Sequence, residues 1–417
     1  MNFPFIRASK YFRLLPAGFC FVAGLFSANA ADWYRWRGPD LNGISKEKNW
    51  QTEWPAEGPK KLWKASVGTG FSSFAVSHGR VYTMGNASGT DAVFCFDANT
   101  GREIWRHSYP APLDPKYYEG GTSATPTVDD NMVYTIGKRG NLFCLDAAKG
   151  DVVWSKNLTN QPGIAIPTWG IAGSPLVEGD LLILNIGSAG AAFDKKTGKL
   201  IWSNGKEVAG YSTPVPFNSG NDRAVVLCTK QDVAAIRVKD GKELWRYPWK
   251  TEYDVNAADP IISGDKIFVS SGYNHGSMLL KVVRNKPELV WENKNMKNHI
   301  NNSVLWNGYL YGPDDIGKGA VLNCVNFETG EKKWSEKSFG KGALMMADGK
   351  IIALSDKGEL MVVEPTPEKF QTVSRAQVLG GKCWTTPVLS NGKIYCRNAK
   401  GDVVCLDVSE KQTASGK

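Results

Sequence analysis

From about Lys61 to Asp407 the chain alternates strand-length apolar segments with polar, glycine-containing turns, the pattern of an all-β protein. Eight times a strand-like segment reaches the same place, and six of those places read alike. The fullest copies run from Cys95 through Asp97 and Gly101 to Trp105, from Cys144 through Asp146 and Gly150 to Trp154, and from Ala192 through Asp194 and Gly198 to Trp202. Ala235 to Trp245, with Gly241, and Cys324 to Trp334, with Gly330, keep the same frame. Successive tryptophans from Trp105 to Trp334 are spaced 49, 48, 43, 46 and 43 residues apart. Self-similarity at that period predicts a stacked or radial array of small β-units.

Each unit reads as four strands. The first is small and β-rich and carries a proline in five units: Pro126, Pro175, Pro214, Pro260 and Pro387. Proline cannot donate to a ladder, so this strand is an edge in every sheet, as the innermost strand of a propeller blade would be. The second strand follows a turn, and the third ends on the motif Asp, whose carboxylate can bond nearby backbone N–H groups. The glycine four residues on supplies a positive φ. The fourth strand carries the Trp, which can bury a large area against the next unit.

Two copies are eroded. Around Lys281 to Trp291 the Asp and Gly are absent, and around Met361 to Phe370 the Trp is replaced by Phe370. The last copy stops at Asp407 without its Trp strand, and Lys61 to Ser66, with Trp63, supplies the missing one. Third strands near 95, 144, 192, 235, 280, 324, 361 and 405 then count eight blades. The expected fold is all-β: an eight-bladed propeller of four-stranded antiparallel blades, closed by pairing of the N- and C-terminal segments, which leaves no open seam. The propeller spans 61–408, after an N-terminal strap over 31–60 and before a flexible tail, 409–417. The protein is expected to be monomeric.

Composition adds a compartment. Arg7, Lys10 and Arg13 precede the apolar stretch Leu14 to Phe26, and Ala28-Asn-Ala30 is a small-x-small cleavage site, so residues 1–30 read as an export signal. The protein is expected to be periplasmic or secreted, with no transmembrane segment after the signal. The 417-residue chain carries +9, and 47 basic against 41 acidic residues remain after position 30, or +6. These charges are scattered without a long basic run, which argues against nucleic acid as a partner. Seven cysteines follow the leader, an odd number. Cys95, Cys144, Cys324 and Cys405 share one repeat position and read as small buried hydrophobes. Cys396 and Cys405 lie on neighbouring strands, with Cys396 expected opposite Val403 and no disulfide between them.

The Ala/Cys-x-Asp-x-x-Thr/Lys-Gly-x-x-x-Trp frame resembles the repeat of the pyrroloquinoline-quinone-like (PQQ-like) propellers, over nearly all of 61–407. That superfamily includes quinoprotein alcohol dehydrogenases and the non-catalytic propellers of outer-membrane assembly. The opening Asp32-Trp-Tyr-Arg-Trp36-Arg-Gly38-Pro39, with Gly43, is similar to the start of many exported propellers of this type. Whether Trp33, Trp36, Trp50 and Trp54 bind a partner or only pack stays open.

In a propeller, loops from a fourth strand to the next first strand gather at one mouth of the central channel. Here they bring Glu119, Trp169, Tyr211, Asp254, Asn256, His299, Asn301 and Trp384, an aromatic and amide-rich set suited to a flat or sugar-like ligand, or to mutual satisfaction in a narrow channel. The resemblance implies, for a quinoprotein, PQQ stacked on a Trp (Trp169 or Trp384), Ca²⁺ on oxygen ligands (Glu119, Asp254 and Asn256, with Asn301), and an Asp general base (Asp254). Against this, the chain lacks the adjacent cysteine pair typical of those dehydrogenases and has no Cys-x-x-Cys-His for haem. Among four histidines only His299 falls at the mouth, no pair has metal spacing, and no Gly-x-Ser-x-Gly occurs. Lys138-Arg139-Gly140 reads as a solvated hairpin tip. The leading expectation is a module that binds a protein or small-molecule ligand, or a scaffold, with a PQQ-dependent dehydrogenase as the alternative.

Overall fold

The computed structural model describes Met1 and residues 32–160 and 164–410. The leader reading falls outside these residues, Met1 aside, as does the tail beyond 410. The described chain folds into eight antiparallel sheets of four strands, one of them extended by a strap strand. Blade 1 runs from Ala75 to Pro110, blade 2 from Thr127 to Asn157, blade 3 from Leu176 to Ser203 and blade 4 from Val215 to Pro248. Blade 5 runs from Ile261 to Asn293, blade 6 from Val304 to Glu336 and blade 7 from Ala343 to Gln377. Blade 8 takes Val388–Ser390, Lys393–Arg397 and Asp402–Asp407 from the end of the chain and Lys60–Ser66 from its beginning, with Trp63 paired to Cys405. The eightfold count and the shared closing blade are as the repeat predicts.

The motif residues build the turns and the blade-to-blade contacts. Asp97 Oδ1 accepts from the N–H groups of Asn99 and Thr100 at 3.0 and 2.8 Å, and Asp146 and Asp194 cap their turns in the same way. These bonds, that from the Thr100 amide foremost, hold Asp97 below the usual carboxylate range. Each motif glycine lies under the tryptophan of the preceding blade. A Cβ on Gly101 would meet the Trp63 ring at 2.5 Å, and one on Gly150 the Trp105 ring at 2.6 Å. Each indole then donates into the turn it covers, Trp63 to Ala98 O at 3.1 Å, Trp105 to Ala147 O at 3.0 Å and Trp202 to Val238 O at 2.8 Å. The eroded blade 5 shows what the motif supplies: its third and fourth strands are joined by a tight turn at Arg284-Asn285, and the buried indole N–H of Trp245 has no acceptor among the described residues. Gly150→Ala would combine a left-handed backbone (φ +78°) with a clash against Trp105, and is expected to cost about 2 kcal/mol or more in urea denaturation.

The prolines of the first strands sit just before the ladders, and the residue ahead of each proline has a role the proline pattern conceals. Ser73 N donates to Thr125 Oγ1, Thr125 N to Ser174 Oγ, Ser174 N to Thr213 Oγ1, and Thr213 N to Asp259 Oδ1, at 2.7–3.0 Å. Asp259 N continues the chain to Asn302 Oδ1 at 3.3 Å. A side-chain acceptor before proline thus stitches the inner strands of blades 1 to 4 each to the next blade, and Asn302 makes the same link from blade 5 to blade 6.

Residues 32–51 run around the opposite rim and between them touch all eight blades. Trp33 bridges Val76 of blade 1, Val128 N donates to Tyr34 O in blade 2, and Arg35 donates to Val177 O in blade 3. Leu41 packs with Leu176 and Val215 of blades 3 and 4, Trp36 donates to Asp259 beside blade 5, and Arg37 donates to Ser303 O beside blade 6. Ile44–Ser45 pairs in parallel with Met346 and Ala347 of blade 7, Glu47 accepts from Gly392 N in blade 8, and Gln51 N reaches Val408 O. Trp33 and Trp50 are buried in the core, and Trp54 packs partly buried against it.

Two local expectations need correction. Cys396 lies opposite Val404, not Val403, because Asn398 and Asp402 exchange side-chain and backbone bonds across a three-residue tip with Gly401 at φ +94°. All seven cysteines from Cys95 onward are free and buried. Lys138 is not a solvated tip residue: it is 3% exposed, donates to Asp114 O at 3.0 Å and lies 5.0 Å from the Tyr118 ring. Hairpin tips between second and third strands emerge on the same face as the mouth loops, and this one is roofed by residues 113–118.

Candidate functional site at the channel mouth

The strap seals one end of the central channel, and the other end opens into a recess of about 380 Å³. Its walls are aromatic, and nearly every ring comes from a different loop: Phe71, Tyr118, Trp169, Tyr211, Tyr273 and Trp384. Phe71 and Trp384 stack with centroids 5.9 Å apart, Trp169 meets Tyr117 and Tyr118 edge-on at 5.9 and 6.1 Å, and Tyr273 meets His299 edge-on at 4.4 Å. Burial pushes the Tyr118 and Tyr211 phenols up to about 12, so both are neutral donors at physiological pH. Tyr117 and Tyr273 hold left-handed backbones, φ +59° and +53°. Bulky residues take that conformation at a cost and concentrate where a site must be shaped.

Trp36 projects from the strap into this recess and forms part of its lining together with Asp259. Its indole donates to Asp259 Oδ2 at 2.6 Å while Thr213 N occupies Oδ1. Burial pushes the Asp259 carboxyl up, and the Arg37 charge, the Trp36 indole and the Thr213 amide act against that rise. Burial in turn lowers Arg37 to about 10, against the pull of Asp259. On the wall above, His299 Nδ1 lies 3.2 Å from Asp315 Oδ2, and Lys341 Nζ lies 3.9 Å from the same oxygen. Burial raises the Asp315 carboxyl, but His299, the Gly317 amide and Lys341 together hold it below its ordinary value.

Of the residues singled out in the sequence, Trp169, Tyr211, His299, Asn301 and Trp384 line the recess together. Glu119, Asp254 and Asn256 do not. Glu119 stands at the rim, 2.8 Å from Lys382, whose Nζ lies 4.2 Å from the Trp384 ring. Asp254 accepts from Gln231 at 2.9 Å and pairs with Lys230 at 3.3 Å, so it does not face the recess as a general base. Asn256 is fully buried: its Nδ2 serves Thr229 O, Lys230 O and Trp249 O, and its Oδ1 accepts from Ser271. The oxygen set proposed for Ca²⁺ therefore does not converge, and no group of three His, Cys, Asp or Glu among the described residues could hold a metal. The residues present do not fit a calcium-assisted quinone.

Sequence reasoning missed Trp36, Asp259 and Tyr273. Tyr273 sits on a second-to-third-strand tip, and attention to the fourth-to-first loops alone passes over it. Asp259 was legible as the one acidic residue among the pre-proline positions.

The repeat and the eight four-stranded blades define a PQQ-like β-propeller. A family model described as outer membrane protein assembly factor BamB matches residues 47–121 and 115–336, and the chain belongs to that family. It is 23% identical to the outer membrane protein assembly factor BamB of Yersinia pestis over 369 residues, 83% of this chain and 88% of that protein. It is 21% identical to the tetrathionate hydrolase of Acidithiobacillus ferrooxidans over 238 residues, 52% of this chain, and spans only 44% of that relative. Among solved structures, BamB from Moraxella catarrhalis superposes with a TM-score of 0.61 at 16% identity, covering 86% of this chain and 99% of that one. The quinohemoprotein alcohol dehydrogenase of Comamonas testosteroni gives 0.66 at 14% identity, covering 94% and 83%. At these identities the structural likeness is one of fold.

Proposed function

We propose that this protein is an exported, non-catalytic binding propeller whose working surface is the channel mouth. The observation that carries the reading is the recess itself: closed below by Trp36, walled by rings from several interblade loops, and without a converging set of metal donors among the described residues. Aromatic concavities with a few fixed polar groups are the common form of a ligand seat. The BamB relationship is consistent with a scaffold that holds partners on its loops. Several carboxylates near the recess have partners in the protein: Asp259 holds the strap, Asp315 lies 3.2 Å from His299, and Glu119 pairs with Lys382 beside Trp384. Titration with pyrroloquinoline quinone and Ca²⁺ together is expected to leave the Tm unchanged and to produce no dye-linked alcohol oxidation. A rise in Tm accompanied by turnover would overturn this reading in favour of a quinoprotein.

A further inference from the structure

The charge of the chain is not spread evenly over the disc. The loops of the mouth face, between fourth and first strands and between second and third strands, hold 14 Lys and Arg against 7 Asp and Glu, a net +7. Residues 32–410 as a whole hold 45 against 41, a net +4, so the remainder of the described chain is −3. Scattered in sequence, these cations are gathered by the topology. Acidic residues of the face are engaged locally, Asp114 by Arg139 at 2.6 Å, Glu119 by Lys382 and Asp254 by Lys230. Lys116 and Lys341 line the recess itself, each with one carboxylate at the outer limit of an ion pair, Asp114 at 4.0 Å and Asp315 at 3.9 Å.

Around the recess the same face also exposes large apolar side chains. Tyr117 is fully exposed, and Tyr253, Ile300 and Ile316 stand in solvent at 57%, 37% and 55%. A small molecule seated in the recess would leave this rim uncovered. A flat membrane would cover the rim and leave the recess empty. An extended polypeptide satisfies both, with one ring in the recess and flanking residues across the rim. We propose that the mouth docks an acidic peptide segment of a partner protein, anchored by one aromatic side chain in the aromatic recess and flanked by Asp and Glu that meet Lys116, Lys341 and their neighbours. This rests on the binding reading above and specifies its ligand. Aromatic anchors in desolvated pockets carry most interface affinity, and complementary charge at the rim sets encounter rate and specificity.

The test is selection of a phage-displayed library of random twelve-residue peptides on the immobilised protein, followed by titration of the enriched sequence as a synthetic peptide. Two controls are phosphatidylglycerol vesicles and indole-3-acetate. Enrichment of one aromatic residue flanked by acidic residues is expected. The synthetic peptide should weaken roughly tenfold or more in the Lys116→Glu, Lys341→Glu double variant and on raising salt from about 50 to about 300 mM. Tyr117→Ser with Ile316→Ser, both exposed, should also weaken it without lowering the Tm. A neutral or basic consensus, or an acidic peptide indifferent to all of these changes, overturns the inference. Binding to the vesicles without peptide enrichment overturns it in favour of a membrane surface. Binding of indole-3-acetate without peptide enrichment overturns the peptide and leaves the binding reading standing. Binding of no probe overturns both.

Discussion

Arg397→Ala is expected to destabilise the propeller by about 3–5 kcal/mol, read as a lower urea midpoint, with hydrogen exchange accelerated first in Lys60–Ser66 and Asp402–Asp407. Arg397 belongs to blade 8, at the end of the chain, and is fully buried. Its Nη1 donates to Ser72 O, Thr83 Oγ1 and Met84 O at 2.9, 3.2 and 2.7 Å, and its Nη2 to Gly68 O at 3.2 Å. All four acceptors lie at the start of the chain, in or beside blade 1. Burial lowers its pKa to about 9, which still leaves it charged at neutral pH. Among the described residues no carboxylate balances that charge; backbone carbonyl dipoles and a hydroxyl do. Removing the side chain leaves those oxygens without their donor and opens a large cavity at the one place where the ring is closed by non-covalent contact. Arg397→Met keeps much of the volume and relieves the burial of the charge, so it should cost less than alanine. If the two variants are equally mild, the guanidinium bonds do not hold the seam.

Asp259→Ala is expected to cost a further class of contact, about 3–5 kcal/mol, by leaving the buried Arg37 charge without its balancing carboxylate and two N–H donors without acceptors. The effect should be read as selective release of the strap. Limited proteolysis between residues 32 and 58 should precede cleavage of the blades, and ligand binding at the mouth should fall as Trp36 leaves the channel. Asp259→Asn retains an acceptor for Trp36 but not the charge opposite Arg37. It should therefore sit between the wild type and the alanine variant. Simultaneous cleavage of strap and blades would show instead that Asp259 supports the ring as a whole.

Much of the fold was legible because its signals are local and repeated. The Asp of each turn caps backbone N–H groups within three residues, the glycine answers a positive φ, and the proline marks an edge. Even the glycine's second reason, the tryptophan above it, could be anticipated from the constant spacing. The register error at Cys396 has a physical source: the three-residue tip is set by Asn398 and Asp402, which no hydrophobic alternation reports. The site was legible only in part. Five of the eight mouth residues named from the sequence share the recess, since loop position carries residues to the right face. Glu119, Asp254 and Asn256 occupy the same kind of loop, but each is spent on a neighbour, Lys382, Lys230 and three carbonyls, and all of these partners except Trp249 come from other loops.

What the sequence by itself determined is the repeat: eight units, their turns, their interblade tryptophans, and the closure of Trp63 against Cys405. Each of these depends on short-range geometry repeated at a nearly fixed period. Only the tertiary structure decided that the strap runs beneath all the blades and lends Trp36 to the mouth, that Asp259 holds it there, and that scattered lysines share one face. Those contacts join segments hundreds of residues apart, and ring closure alone sets which of them meet.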